Sequence, residues 1–122
     1  MEIEVKASAN LQDGQYKGVI DHVEYRTDPF EYVDVFIKEN TTGFVLKWGA
    51  PMNISEKTKL GKMIAKFVNF KVGDKIDPEK TLNGREVMFM ILMEKKDGNE
   101  YARIVDGSIK PTVTTENVKN EG

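Results

Sequence analysis

Two neighbouring segments of the chain, residues 32–39 ("YVDVFIKE") and 44–49 ("FVLKWG"), interleave aromatic, charged and aliphatic side chains. Such alternation over a few residues is typical of a β-strand with one buried face. In the first segment one face is Val33, Val35 and Ile37, and the other is Tyr32, Asp34, Phe36 and Lys38. Exposed rings can stack on flat ligand groups while neighbouring ammonium groups contact anions. The segment therefore predicts a binding platform.

The orientation of Phe36 follows from the aliphatic residues of its own segment. Turning Phe36 inward would expose three aliphatic side chains, so the alternation favours Phe36 on the outer face. Asp34 lies on that same face and argues against a phosphate contact at that point. With contributions from the flanking segments, the predicted ligand-binding residues are Arg26, Tyr32, Phe36, Lys38, Phe44, Lys47 and Trp48.

Trp48, the single tryptophan, has two alternative positions. Lys47 is predicted to be exposed, and strict alternation then turns Trp48 into the core. A strand that ends or bulges near Gly49 would instead turn Trp48 outward with the other rings. A slip of one residue in the hairpin register exchanges the two faces, so the sequence leaves both positions open.

Residues for catalysis or metal binding are sparse. The chain has no cysteine and one histidine, His22, which lies in a predicted strand and is interpreted as a surface residue. The "DGNE" stretch at 97–100 lacks the spaced ligands of a calcium loop. The lysine-containing "GKM" at 61–63 lacks the upstream glycine of a phosphate-binding loop. The sequence predicts that the protein is not an enzyme and uses no metal or cofactor.

Charge and composition limit the class of partner. The chain of 122 residues suits one domain, and its net charge of −2 argues against duplex DNA binding by bulk positive charge. Residues 55–75 carry six lysines against two acidic residues, which fits either a local basic surface or a solvated helix face. No apolar run is long enough to span a membrane, so the sequence predicts no membrane contact. It predicts a cytoplasmic location.

The predicted elements are three strands, a helix and two strands, with a possible extra N-terminal strand in residues 2–8. The helix spans residues 55–68 with Ser55 as its N-cap, and Asp77 caps a short helical turn. This order is that of the OB-fold, a five-stranded barrel with one helix, and an SH3-like barrel is the nearest competitor. The predicted domain is 1–111, followed by a flexible polar tail, 112–122.

Two stretches carry a resemblance that covers roughly residues 11–110. The first is "LQDGQYKGVIDHVEYR". The second lies later in the chain and consists of the three segments "KLGKMIAKF", "VGDKID" and "LNGREVMFMI". This pattern resembles small OB-fold single-stranded DNA-binding proteins from phage replication regions. The resemblance implies sequence-independent single-strand binding by base stacking and lysine–phosphate contacts, in phage or prophage DNA replication or recombination within a bacterial host cell. Unlike the acidic tail of many such proteins, the tail here mixes Glu116 and Glu121 with Lys119.

Two further hypotheses follow from the same sequence. The first half of the chain is acidic, which suits an OB-fold module that binds a protein and has no nucleic-acid role. The run at 86–96 is apolar on both faces, so Met88, Met90 and Leu92 need a cover on the side away from the core. That cover is either the helix, the N-terminal strand or a second copy of the chain in a homo-oligomer.

Overall fold

A computed structural model describes residues 1–3 and 11–112 of the protein. The described residues are mostly β-structure with two short helices. The strands are β1 (Gly14–Arg26), β2 (Tyr32–Glu39), β3 (Val45–Pro51), β4 (Glu86–Lys96), β5 (Asn99–Ile104) and β6 (Lys110–Pro111). The helices, α1 (Lys59–Ile64) and α2 (Pro78–Leu82), both lie between β3 and β4. None of the helices in these ranges has the length and apolar character needed to cross a membrane.

The strands form one antiparallel sheet in the order β3-β2-β1-β4-β5, with the short β6 paired to β4. The long strand β1 is shared, because its first part pairs with β4 and its second part pairs with β2. The edge strands β3 and β5 approach each other, but no strand pairing between them is present in the described residues. The predicted order along the chain, three strands, a helix and two strands, is therefore confirmed with α2 and β6 added, whereas the sheet is open and not the predicted closed barrel.

The core lies on the concave side of this sheet. Val33, Val35 and Ile37 are completely buried, which confirms the inner face predicted for β2. Val87, Phe89 and Ile91 of β4 are also completely buried and face them, and Leu60, Met63 and Ile64 of α1 close one end of the core. Burial of these side chains, at roughly 1.5–3 kcal/mol each, is the main source of stability.

A β-bulge at Asp21 divides β1 into two stretches. The pairing with β2 runs from Gly18 to Ile20, skips one residue, and resumes at His22. The bulge places Ile20 and Val23 together in the core and leaves His22 outside. Gly18 lies in β1 before the bulge, and a Cβ there would overlap the carbonyl oxygen of Lys38, so glycine permits close approach of the strands.

The hairpin between β2 and β3 is held by a buried carboxylate. Glu39 accepts hydrogen bonds from the backbone N–H groups of Thr41 (2.9 Å) and Thr42 (2.8 Å) and from the Thr42 hydroxyl (2.6 Å). Burial acts to raise the pKa of Glu39, but these hydrogen bonds outweigh it and the pKa is lowered. The ionised carboxylate therefore fixes the turn that sets the register of β2 and β3.

The helix α1 is shorter than predicted and begins later. Its N-cap is Thr58, not Ser55, and the Thr58 hydroxyl accepts from the N–H of Gly61 at 3.0 Å. Residues 55–58 form a turn that folds back over the helix, which leaves no room for a helical start at Ser55. The short helical turn predicted after Asp77 is confirmed as α2, with Asp77 as its N-cap and Pro78 at its first position.

Two predictions about the ends of the chain differ from the structure or lie outside it. The stretch "EYARIVDGSIKP" at 100–111 predicts one continuous last strand, but β5 ends at Ile104 and the chain turns at Asp106–Gly107 before β6. Gly107 has a φ of 82°, which favours glycine and allows this turn. The possible N-terminal strand falls largely on residues 4–10, outside the described residues, as does the tail beyond Thr112.

Candidate nucleic-acid interface

The outer side of β1, β2 and β3 carries two supported rings in register, each a ring of β2 packed against a side chain of β1. The His22 ring of β1 stacks on the Phe36 ring of β2, with centroids 4.3 Å apart and planes 8° from parallel. The Arg26 guanidinium lies 4.8 Å from the centre of the Tyr32 ring. Both are directly paired positions of the two strands. Each ring of β2 is therefore supported from the β1 side by a nitrogen-rich side chain.

A partly buried ion pair separates the two supported rings. The carboxylate of Asp34 accepts from Nε of Arg26 at 2.6 Å and from Nη2 at 3.1 Å, and its side chain is only 3% exposed. A half-exposed guanidinium that bonds a carboxylate in this bidentate way is held in one orientation. Arg26 thus holds the Tyr32 ring in place and compensates the negative charge of Asp34. Only part of the positive charge of Arg26 is then left for a ligand.

Gly49 of β3 makes space for this arrangement. It pairs with Asp34 in a ladder that runs without a break from Lys38 to Tyr32. A Cβ at Gly49 would lie 2.7 Å from Oδ1 of Asp34 and 3.3 Å from Cδ2 of Tyr32. Glycine is therefore required at this position by the neighbouring side chains, and no bulge occurs beside it.

Trp48 lies in the core, which corrects its place among the predicted binding residues. It pairs with Val35, is 4% exposed, and donates from Nε1 to Oδ1 of Asp106 at 3.0 Å. The ammonium group of Lys59 lies 5.0 Å from the Trp48 ring centre and 3.2 Å from the same Asp106 oxygen. The outward alternative for Trp48 required a local irregularity near Gly49, and the ladder there is regular.

Five of the other predicted residues, Arg26, Tyr32, Phe36, Lys38 and Lys47, lie on the outer face. Lys38 and Lys47 are exposed, and Lys47 pairs with Phe36 from the β3 side. Phe44 lies just before β3 and is 42% exposed. The Cα atoms that carry the half-buried rings of Tyr32 and Phe36 are about 13 Å apart, from the rise of four residues along a strand. The structure thus brings five of the seven predicted residues to one side of the sheet. Phe44 is not among them, because it alternates with Val45 and Lys47 and lines a separate cleft with Leu46 and Leu11.

The hairpin of β4 and β5 adds residues that the sequence analysis did not assign. An open cleft of about 900 Å³ separates it from Lys47 of β3. Tyr101, which is 52% exposed, lines this cleft with Arg103, and Arg103 donates to Glu94 at 2.7 Å. The cleft is also lined by Lys95, Lys96, Asp97 and Ala102. Alternation of Tyr101 and Arg103 with Ala102 and Ile104 is the signal that marks them as outward-facing.

On β4, Val87, Phe89 and Ile91 face the core, as the sequence predicts. The described residues leave part of the opposite face of β4 exposed. Met90 is 44% exposed and Leu92 39% exposed, while Met88 is half-buried. On β1, the paired residues are Lys17 beside Met88 and Gln15 beside Met90. This strip lies on β4, beyond β1 from the two supported rings, so the two surfaces are separate.

The outer face combines aromatic rings with charged side chains. Within residues 1–3 and 11–112, no group of three or more His, Cys, Asp or Glu side chains is placed to hold a metal ion. The face offers rings, exposed ammonium groups and compensated carboxylates, which suit stacking and contact with anions.

In comparisons with known proteins, neither a protein-family model nor a curated protein matches the chain.

Proposed function

We propose that the protein is an OB-type domain that binds single-stranded DNA, without sequence preference, on the outer side of β1–β3. The topology supports an OB-type fold because β1 pairs with both β2 and β4, and a helix follows β3. The edge strands β3 and β5 approach each other at what would be the seam of the barrel. In this fold, the outer face of strands two and three is the usual platform for oligonucleotides.

The observation that carries the proposal is the pair of supported rings beside free lysines. Phe36 and Tyr32 are held by His22 and Arg26 on the β1 side, so less ring mobility is lost when a base stacks. Lys38 and Lys47 are exposed next to them and are placed to meet phosphates. A base has a flat face whatever its identity, so this arrangement tolerates any sequence.

The charge of the face favours single strands over duplex. Arg26, Lys38 and Lys47 are balanced by Asp21, Glu24 and Asp34 across the outer side of β1–β3. Duplex binding depends mainly on many phosphate contacts, which a balanced surface provides poorly. Single strands gain additional binding free energy from base stacking, about 1–3 kcal/mol per base.

A place in phage or prophage DNA replication or recombination, in the host cytoplasm, is proposed on the resemblance of residues 11–110 alone.

The test is a fluorescence-anisotropy titration of labelled oligo-dT at several salt concentrations. With about two to four phosphate contacts, the slope of log K against log salt is expected to be roughly −1.5 to −3. Lys47→Gln should weaken binding to all sequences alike and reduce the steepness of the slope by about 0.7. Lys62→Gln on α1, an exposed lysine away from the face, is the matched control and should change neither.

The competing function is a protein-binding OB-type module with no nucleic-acid role. Residues 1–50 contain five basic and nine acidic residues, which is the observation that favours it. Absence of binding to oligo-dT and oligo-rU at low salt, with a folded protein, would reject the DNA proposal and leave this one. Intrinsic fluorescence is a poor substitute for anisotropy in this test, because the buried Trp48 does not contact the bound strand.

We also propose that the exposed strip of β4 pairs with a second copy of the chain. Its apolar centre, Met90 and Leu92, is bordered by Lys17 and Gln15 of β1, an arrangement of apolar core and polar rim found at protein interfaces. Sedimentation equilibrium should show a mass above that of the monomer. Met90→Glu should return it to the monomer mass, and Val72→Glu, an exposed residue outside the strip, should not. A monomeric wild-type protein at 100-fold higher concentration than used for DNA binding would contradict this proposal.

A further inference from the structure

His22 makes three contacts that an isolated surface histidine would not make. Its ring stacks on Phe36, its Nδ1 lies 2.7 Å from Oδ2 of Asp21, and its Nε2 lies 2.9 Å from Oε2 of Glu24. The side chain is 40% exposed, so it is still accessible from the outer face. The bulge at Asp21 creates this position, because it brings His22 into register with Phe36.

The geometry of these contacts specifies the protonation state that fits best. Ionised carboxylates only accept hydrogen bonds, and a neutral imidazole has one donor nitrogen and one acceptor. Both His22 nitrogens face carboxylate oxygens, so only the doubly protonated ring satisfies both contacts. An imidazolium stacked on Phe36 also gains from the charge distribution of the ring. The charged form of His22 therefore suits its surroundings on every side.

We propose that doubly protonated His22 belongs to the single-strand platform, where it extends Phe36 into a two-ring stack and offsets the carboxylates of Asp21 and Glu24 near the phosphate backbone. This inference rests on the proposed DNA-binding function. When His22 loses its proton, the cluster of three side chains changes from a net charge of −1 to −2. A phosphate within several ångströms is then repelled more strongly, and the affinity falls.

Other charged groups around His22 do not replace it. Asp34 of β2 is paired with Arg26, and Lys47 of β3 lies on the far side of Phe36. Lys38 of β2 pairs with Val19, on the other side of the bulge. Where the chain after α2 meets β1, the Arg85 side chain donates to the Thr81 carbonyl and lies over Phe67. From α2, Glu79 is nearest to Tyr25, three residues along β1.

The direction of the pH effect follows from the pKa of His22. Hydrogen bonds from the ring to Asp21, then to Glu24, raise this pKa above its ordinary value of 6.5. The stabilisation from these bonds is therefore fully present below pH 6.5 and is lost as the pH rises through the raised pKa. DNA binding, which favours the charged ring, should follow the same course.

The composition of the chain allows the titration of His22 to be measured without overlap from other side chains. His22 is the only histidine and cysteine is absent, so apart from the N-terminal amine no other group has an unperturbed pKa between pH 6 and 9. The ring resonance of His22 can be followed by NMR without assignment of other histidines. It should give a midpoint above 6.5 in the free protein and a higher one when oligo-dT is bound.

The test is the affinity for oligo-dT between pH 6 and 9 at low salt, for the wild-type protein and His22→Gln. Wild-type affinity should fall roughly two- to fivefold, with a midpoint matching the NMR titration, and His22→Gln should show no such step. The double variant Asp21→Asn with Glu24→Gln should bind more tightly at pH 9, and its step should move to lower pH because the two carboxylates that raise the His22 pKa are gone. If wild type and His22→Gln both bound DNA with the same pH profile, this inference would be overturned and the proposed function would stand. No binding at any pH would overturn the proposed function and this inference together.

Discussion

Replacing Phe36 by leucine is expected to weaken oligo-dT binding by roughly 5- to 150-fold, which corresponds to a loss of about 1–3 kcal/mol. Leucine keeps apolar bulk beside His22 but removes the flat ring on which a base stacks. Since Phe36 lies on the outer face and not in the core, the free energy of unfolding should fall by no more than about 1 kcal/mol. Anisotropy titration and thermal unfolding of the same samples separate the two effects.

The matched control for Phe36→Leu is Phe70→Leu. Phe70 is also half-buried but belongs to the segment after α1, where it lines a separate cleft with Ile54 and Ile76. Its replacement should leave the affinity for oligo-dT unchanged once the folded fraction is accounted for. If Phe36→Leu bound as tightly as wild type, or if both variants lost affinity equally, the outer face of β2 would not be the stacking platform.

The face of β2 could be predicted from sequence because the strand is buried on one side only. Three aliphatic residues at every second position define the inner face, and the remaining residues must then lie outside. The hairpin at Asp97–Gly98 is also specified locally, because an Asp-Gly pair readily adopts the positive φ values, 54° and 80°, that the tightest hairpin turns require. Local alternation and local turn chemistry thus account for the correct part of the prediction.

Glycines were the main source of error in the sequence analysis. A glycine within a strand marks either an irregularity or a close approach by another group, and the sequence alone does not distinguish them. Gly49 was considered as a bulge that could turn Trp48 outward, but it gives space to Asp34 and Tyr32 in a regular ladder. Gly18 likewise permits contact with Lys38, while the bulge occurs at Asp21, where nothing in the residue type marks it.

Residues brought together by long-range pairing were missed for the same physical reason. The stack of His22 on Phe36 exists only because the bulge shifts the pairing of β1 with β2 by one residue. Tyr101 faces the cleft beside Lys47 only because β5 approaches β3 from the opposite edge of the sheet. Neither relation is encoded in the spacing of neighbouring residues, so each needs the tertiary structure.

Gly61→Ala is expected to destabilise the protein by about 2–4 kcal/mol, although alanine is the better helix former. At an exposed helical site this substitution stabilises by roughly 1 kcal/mol, so the two physical effects predict opposite signs. A Cβ at Gly61 would overlap the carbonyl oxygen of Ser55 and lie 2.7 Å from its carbonyl carbon. The turn at 55–58 must then move away, and Thr58 loses its capping bond to the Gly61 N–H.

Thermal unfolding decides between the two signs, with an expected fall in Tm of about 10 °C. Lys62→Ala, an exposed change at the next position of the same helix, should stay within about 0.5 kcal/mol of wild type. A rise in Tm for Gly61→Ala would show that residues 55–58 do not fold against α1. Because α1 covers one end of the core and contributes nothing to the outer face of β1–β3, the folded fraction of Gly61→Ala should still bind oligo-dT with wild-type affinity. Loss of stability without loss of affinity would separate the element that closes the core from the face that is proposed to bind DNA.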